Sequence, residues 1–152
     1  MKPKRRRLLR LTAGLATAAA LGARGIRGAL AADRNDAGFR ARTAADALIS
    51  VGVSNPGPSK DILFKAPDVA ENGAAVPIEV TSRIPNTQSI TVIADKNPFP
   101  LVAIFDFSGG AEPYASTRIK LGDSSTVRAI VQAGGRHYMA VRDVRVIVGG
   151  CG

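Results

Sequence analysis

Between residues 62 and 148 the sequence breaks about every ten residues: runs rich in Val, Ile, Thr and aromatic side chains are separated by clusters of Gly, Pro, Asn, Asp and Ser. Runs of that length suit strands better than helices, because β-branched side chains lose rotamer freedom in a helix and pack well on a pleated surface. Strands are expected over 62–66, 76–82, 90–95, 101–107, 117–121, 126–133 and 136–148, the last with a break near Arg142 and Asp143. The runs between them (APDVAENGAA, RIPNTQS, KNPFP, SGGAEPYAS, GDS and AGG) carry the residues that turns require. Val144, Val146 and Val148 alternate with Arg145 and Ile147, and Val127 and Ala129 alternate with Arg128 and Ile130, which turns one side of each strand towards a core. Such strands, with no helix among them, predict an all-β fold, an antiparallel β-sandwich. The sandwich is immunoglobulin-like only in the loose sense, since one cysteine and no tryptophan cannot supply the disulfide and core Trp of antibody domains.

One short N-terminal helix is expected ahead of the strands, over 36–50, with Asp36 as N-cap and Phe39, Thr43, Ala44, Ala47 and Leu48 near one face. The glycines and prolines of VGVSNPGPSK (51–60) end it.

The chain has 21 Lys and Arg against 12 Asp and Glu, a net charge of +9 at pH 7. Eight of the cations (Lys2, Lys4, Arg5, Arg6, Arg7, Arg10, Arg24 and Arg27) lie in the first 32 residues, which hold no acid, so 13 cations face 12 anions in the rest. A near-neutral body has no electrostatic footprint for nucleic acid. The basic start reads instead as an export signal over 1–31: a positive segment, an Ala- and Gly-rich apolar stretch over 11–23, and small residues at Ala29-Leu30-Ala31 for cleavage. Arg5-Arg6-Arg7-Leu8-Leu9-Arg10 fits the twin-arginine pattern, and the apolar stretch falls short of the roughly 18 to 20 residues of a membrane span. A soluble domain over 32–148, outside the cytoplasm and without a membrane anchor, is therefore expected, followed by a tail over 149–152.

That location bears on the single cysteine, Cys151, set in Gly149-Gly150-Cys151-Gly152. With no second cysteine to pair with, it points to an intermolecular bond or a reactive thiol. One His and one Cys cannot assemble a zinc or copper cluster, and the scattered acids show no calcium-loop spacing, so no metal and no cofactor is expected. His137, beside Tyr138 in an expected strand, reads as structural. A catalytic Cys151–His137 pair would need fixed hydrogen-bond geometry across fourteen residues of sequence and a glycine tail. Gly109-Gly110 and Gly134-Gly135 read as hairpin turns rather than a phosphate loop. Asn97-Pro98-Phe99-Pro100 reads as a rigid corner, open to a cis prolyl bond.

The tail carries what chemistry remains. Gly149, Gly150 and Gly152 are unhindered at the backbone, and four extended residues reach about 13 to 14 Å, the depth of an enzyme pocket. An ordinary thiol with a pKa of about 8.5 is only a few per cent ionised at neutral pH. Nothing beside Cys151 activates it, so activation is expected from other proteins.

Ala70-Glu71-Asn72-Gly73 followed by Val76-Pro77, Asn97-Pro98-Phe99-Pro100, Ser116-Thr117-Arg118-Ile119-Lys120, Ser124 to Val127 and the closing Gly149-Gly150-Cys151-Gly152 stand in that order behind a twin-arginine signal. Together they resemble SoxY, the sulfur-carrying subunit of the periplasmic thiosulfate-oxidising Sox system. Each motif alone is weak; their order, running over essentially the whole mature chain, is specific. The resemblance implies a periplasmic carrier rather than an enzyme. Cys151 would be the covalent attachment point, first loaded as a cysteine S-thiosulfonate, with Gly149, Gly150 and Gly152 as the slender part of a swinging arm. The implied partners are a SoxZ-type subunit exported with its folded partner as a heterodimer, a c-type cytochrome that loads thiosulfate, a dimanganese hydrolase that releases sulfate, and a molybdenum and haem sulfane dehydrogenase. The family's tail reads Gly-Gly-Cys-Gly-Gly, so this shorter tail is expected to bring the terminal carboxylate nearer the sulfur. Two other readings stay open on the residues alone: an exported β-sandwich interaction module with Cys151 in a structural intermolecular disulfide, and a free-standing thiol enzyme.

Overall fold

Local hydrogen bonds divide the expected helix in two. In the computed structural model, which describes residues 34–147, α1 spans Asp36–Arg40 and α2 spans Ala44–Ser50. Asn35, not Asp36, caps α1: its side-chain oxygen accepts from the Gly38 amide at 2.9 Å, and its Nδ2 donates to the Ser50 carbonyl at 2.8 Å. Ala41 then leaves helical geometry (φ −55°, ψ 140°), and Thr43 starts the second helix. The Thr43 hydroxyl accepts from the Asp46 amide at 3.1 Å and donates to the Asp46 carboxylate at 2.7 Å. Placed on the expected helical face, Thr43 is instead a cap, the role for which a short hydroxyl side chain is favoured.

Nine strands follow among the described residues: β1 (Gly57–Pro58), β2 (Ile62–Lys65), β3 (Val69–Ala70), β4 (Val76–Ser82), β5 (Thr87–Ala94), β6 (Leu101–Asp106), β7 (Tyr114–Ile119), β8 (Ser125–Ala133) and β9 (Arg136–Val146). The larger sheet has the order β1-β9-β8-β5-β6, with β3 also on β9; the smaller has the order β2-β4-β7. The all-β sandwich is as expected, with two departures. β1 and β3 pair with β9 in parallel, Gly57 opposite Tyr138 and Val69 opposite Arg145. β9 also runs unbroken past Arg142 and Asp143, because both stay in register with β8, opposite Val127 and Thr126, and Thr126 Oγ1 donates to Asp143 at 2.6 Å.

Two cores explain the alternation. Between the sheets lie Phe64, Ile78 and Val80 from one side and Ile90, Val92, Val127, Ala129 and Val131 from the other. On the outer face of the larger sheet, Ile93, Leu101 and Ile130 are buried with Ala47 and Val53, beside half-buried Phe39, Leu48 and Met139. The helices thus cover the outward faces of β5 and β8. Ile130, which alternation alone sets on the solvent side, is 1% exposed.

Gly134 (φ 56°) and Gly135 (φ 74°) form the tight β8–β9 hairpin turn, where both central residues need positive φ. Gly109 (φ 64°) and Gly110 (φ 79°) do not sit in a hairpin: β6 and β7 belong to different sheets, so this pair turns the chain across the sandwich. The corner Asn97-Pro98-Phe99-Pro100 holds only trans peptide bonds.

Candidate functional site

The strand ends gather the quoted motifs at one pole of the sandwich. β4 begins there with Val76 opposite Ile119, the end of β7; β5 ends with Ala94 opposite Val127, near the start of β8; and β9 approaches its end with Val144 opposite Ser125. The loops 71–75, 95–100 and 120–124 are therefore neighbours in space, around the point where the chain runs on towards residues 148–152. Gly149, Gly150, Cys151 and Gly152 themselves lie outside the described residues.

These loops are joined by side chains. Asn97 Nδ2 donates to the Lys120 carbonyl at 2.7 Å while its Oδ1 accepts from the Gly122 amide at 3.1 Å, so one amide fixes the β7–β8 loop against the β5–β6 corner. Ser125 Oγ accepts from the Lys96 amide at 3.0 Å. Asn72 Oδ1 accepts from the Ala74 amide at 2.8 Å, capping the one-turn 3-10 helix Gly73–Ala75. The Gly73 carbonyl accepts from the Leu121 amide at 2.7 Å. Gly73 is needed where it stands: a Cβ there would collide with the Leu121 carbonyl oxygen and lie 2.9 Å from Val146 Cγ1.

The last described strand residues are held from both sides. Beyond Val144 the β8 backbone offers no further pairing. The Arg145 amide donates to the Asp68 carbonyl and the Ile147 amide to the Ala70 carbonyl, both at 2.9 Å, while the Val146 amide donates to Ser124 Oγ at 3.0 Å. Val146 packs on the inter-sheet core, whereas Ile147 is 51% exposed. The chain leaves the packed body between these two residues.

The strongest charged contact of this pole is Arg128 with Asp95. Arg128 Nη2 lies 2.6 Å and Nε 2.8 Å from the two Asp95 carboxylate oxygens, a forked pairing of partly buried groups. The hydrogen bond to Asp95 raises the Arg128 pKa above its ordinary value, against the lowering effect of burial, with the Asp95 charge adding to the rise. Phe99, 45% exposed, lies under the Arg42 guanidinium, 4.1 Å from the ring centre to the cation. His137 sits half-buried in β9 opposite Gln132. Among the described residues no three His, Cys, Asp or Glu side chains converge as metal ligands, and no helix is long and apolar enough to cross a membrane.

In the sequence Gly73 and Ser124 stand out only as members of motifs. Their roles, close approach to Val146 and acceptor for its amide, depend on which loops share a pole, and that is set by long-range pairing. The strap β3 went unread because two residues carry no periodicity.

Residues 50–151 match the family described as sulfur oxidation protein SoxY. Among solved structures, the sulfur carrier protein SoxY from Chlorobium limicola f. thiosulfatophilum is 38% identical, with a TM-score of 0.63 over 71% of this chain and 95% of that one. The reeler domain of human F-spondin gives 9% identity and a TM-score of 0.42 over 60% of this chain and 93% of that one. No curated protein sequence matches. With two-thirds of its length matched and a sulfur carrier at this identity sharing its sandwich, the chain belongs to the SoxY family of sulfur oxidation proteins.

Proposed function

We propose that this protein is a periplasmic sulfur carrier in which Cys151 holds thiosulfate-derived intermediates covalently and presents them to partner enzymes. Residues 1–31 are then a twin-arginine signal removed on export, 32–148 the carrier domain, and 149–152 the arm, with Gly149, Gly150 and Gly152 keeping it slender. The observation that carries this reading is the family match, which extends through Cys151.

The chemistry asks for reach on the carrier's side and activation on the partner's. In loading, the Cys151 thiol and thiosulfate join through a new sulfur–sulfur bond to give a cysteine S-thiosulfonate; one proton and two electrons leave, and the c-type cytochrome partner takes the electrons. The dimanganese hydrolase adds water to the terminal sulfonate sulfur and breaks its bond to the sulfane, which releases sulfate and two protons and leaves a persulfide anion. The sulfane dehydrogenase then adds the oxygens of three waters to the outer sulfur, with six protons and six electrons leaving. A second hydrolysis restores the thiolate. None of these steps needs a base on the carrier itself. The stable unit is a heterodimer with a SoxZ-type subunit.

The test is the intact mass of the exported complex after incubation with thiosulfate and the loading cytochrome. A reductant-labile adduct on the wild type that is absent from Cys151→Ser is expected, with the circular dichroism of the variant unchanged. An adduct retained on Cys151→Ser overturns the assignment. A stoichiometric disulfide dimer that takes up no sulfur would instead support an interaction module.

A further inference from the structure

We propose that β3 and Ser124 fix the root of the arm at Ile147, and that Ser124 is a positioning residue for delivery of Cys151 to partner enzymes; the proposal rests on the carrier reading above.

The argument starts from where strand pairing stops. An amide beyond the last paired residue bonds to water, and the strand end frays. On β9 backbone pairing with β8 ends at Val144. Yet the next three amides all have acceptors within the protein: Asp68 for Arg145, Ser124 Oγ for Val146 and Ala70 for Ile147. Successive amides of a strand point to opposite edges, so holding all three takes an acceptor on each edge. The two-residue β3 serves one edge. On the other edge the Ser124 hydroxyl takes the place of the β8 carbonyl that is no longer there. Gly73 lets Val146 settle against the body beneath this clamp, since a Cβ would press into Val146 Cγ1.

The clamp limits the search volume of the sulfur. From Ile147 to Cys151 is four residues, about 13 to 14 Å at full extension. If residues 145–147 came free the tether would grow to seven residues. Effective concentration at a partner's reacting group falls roughly as the −3/2 power of tether length, so that release would lower it about twofold. A fixed root also sets one exit direction.

Three variants of the full complex test this: Ser124→Ala, Ser124→Thr, which keeps an acceptor oxygen, and Cys151→Ser. In Ser124→Ala, hydrogen exchange at the Val146 amide should quicken about fivefold, the equivalent of one ordinary hydrogen bond. The KM for the carrier in thiosulfate loading by the cytochrome partner should rise with kcat unchanged, by less than the roughly twofold of full release, because Asp68 and Ala70 still hold the Arg145 and Ile147 amides. Labelling of Cys151 by iodoacetamide should keep its wild-type rate, and Ser124→Thr should restore both exchange and KM. Unchanged Val146 exchange overturns the proposal, and so does a lower melting temperature with an unchanged KM, the mark of a purely structural hydroxyl. Sulfur uptake by Cys151→Ser defeats the carrier reading itself; its absence, with Ser124→Ala like wild type, defeats the pivot alone.

Discussion

Replacing Ile130 by alanine separates a true second core from a sheet face only brushed by helices. Ile130 is 1% exposed, among Ala47, Val53, Ile93 and Leu101 under α1 and α2. Truncation removes three buried carbons, about 2.4 kcal/mol at about 0.8 kcal/mol each. The cavity left behind adds to that, since neighbours on a paired strand collapse only partly, giving about 3 to 4 kcal/mol, within the range of about 2 to 5 for such changes. Urea unfolding followed by circular dichroism is the assay; the midpoint should fall with the slope unchanged, because the surface exposed on unfolding is nearly the same. Ile90→Ala, between the sheets and fully buried, should cost a similar amount. If Ile130→Ala costs under about 1 kcal/mol while Ile90→Ala costs the full amount, the helical layer is not a packed core.

Two further changes probe the pole near the arm. Asn97→Ala loses the bonds to Lys120 and Gly122 and should lower stability by about 1 to 2 kcal/mol in the same assay. Arg128→Lys keeps the charge but loses the fork on Asp95, so it should destabilise by about 1 kcal/mol, whereas a plain charge contact would be restored by lysine.

Much of the fold was legible because β-alternation and turn residues are local signals. The expected 76–82 strand coincides with β4, and the others fall within a few residues of β2 and of β5 to β9. The misses share one physical cause. β1 and β3 are strands only because β9 passes beside them, and Gly109-Gly110 resembles a hairpin until the sheets of β6 and β7 are known. The helix divides because Asn35 and Thr43 offer side-chain acceptors to amides that a continuous helix would have used. At the site, Cys151 stood out by its isolation in sequence, whereas Ser124 and Gly73 acquire meaning from residues 22 and 73 positions away in the chain.

The two poles are built differently, and the difference predicts how damage spreads. Opposite the arm, turns rest more on their own conformation, with positive φ at Asn86, Gly134 and Gly135, and there the Arg83 amide also donates to the Asp61 carbonyl at 2.8 Å. At the arm pole no described residue of 66–75, 95–100 or 120–124 has positive φ, and the loops are held by one another instead. Asn97 fixes Gly122, Leu121 bonds to Gly73, and Gly73 backs Val146, whose amide sits on Ser124. Residues in one such network are coupled, while distant ones add. A double-mutant cycle of Asn97→Ala with Ser124→Ala should therefore show a coupling of about 0.5 to 1 kcal/mol. Pairing Asn97→Ala with Thr87→Ala, which loses the bond to the Ile84 carbonyl at the far pole, should be additive within about 0.5 kcal/mol. Equal additivity in both cycles would mean that the loops at the arm pole are held independently, and that a change at the Asn97 corner leaves the root of the arm as it was.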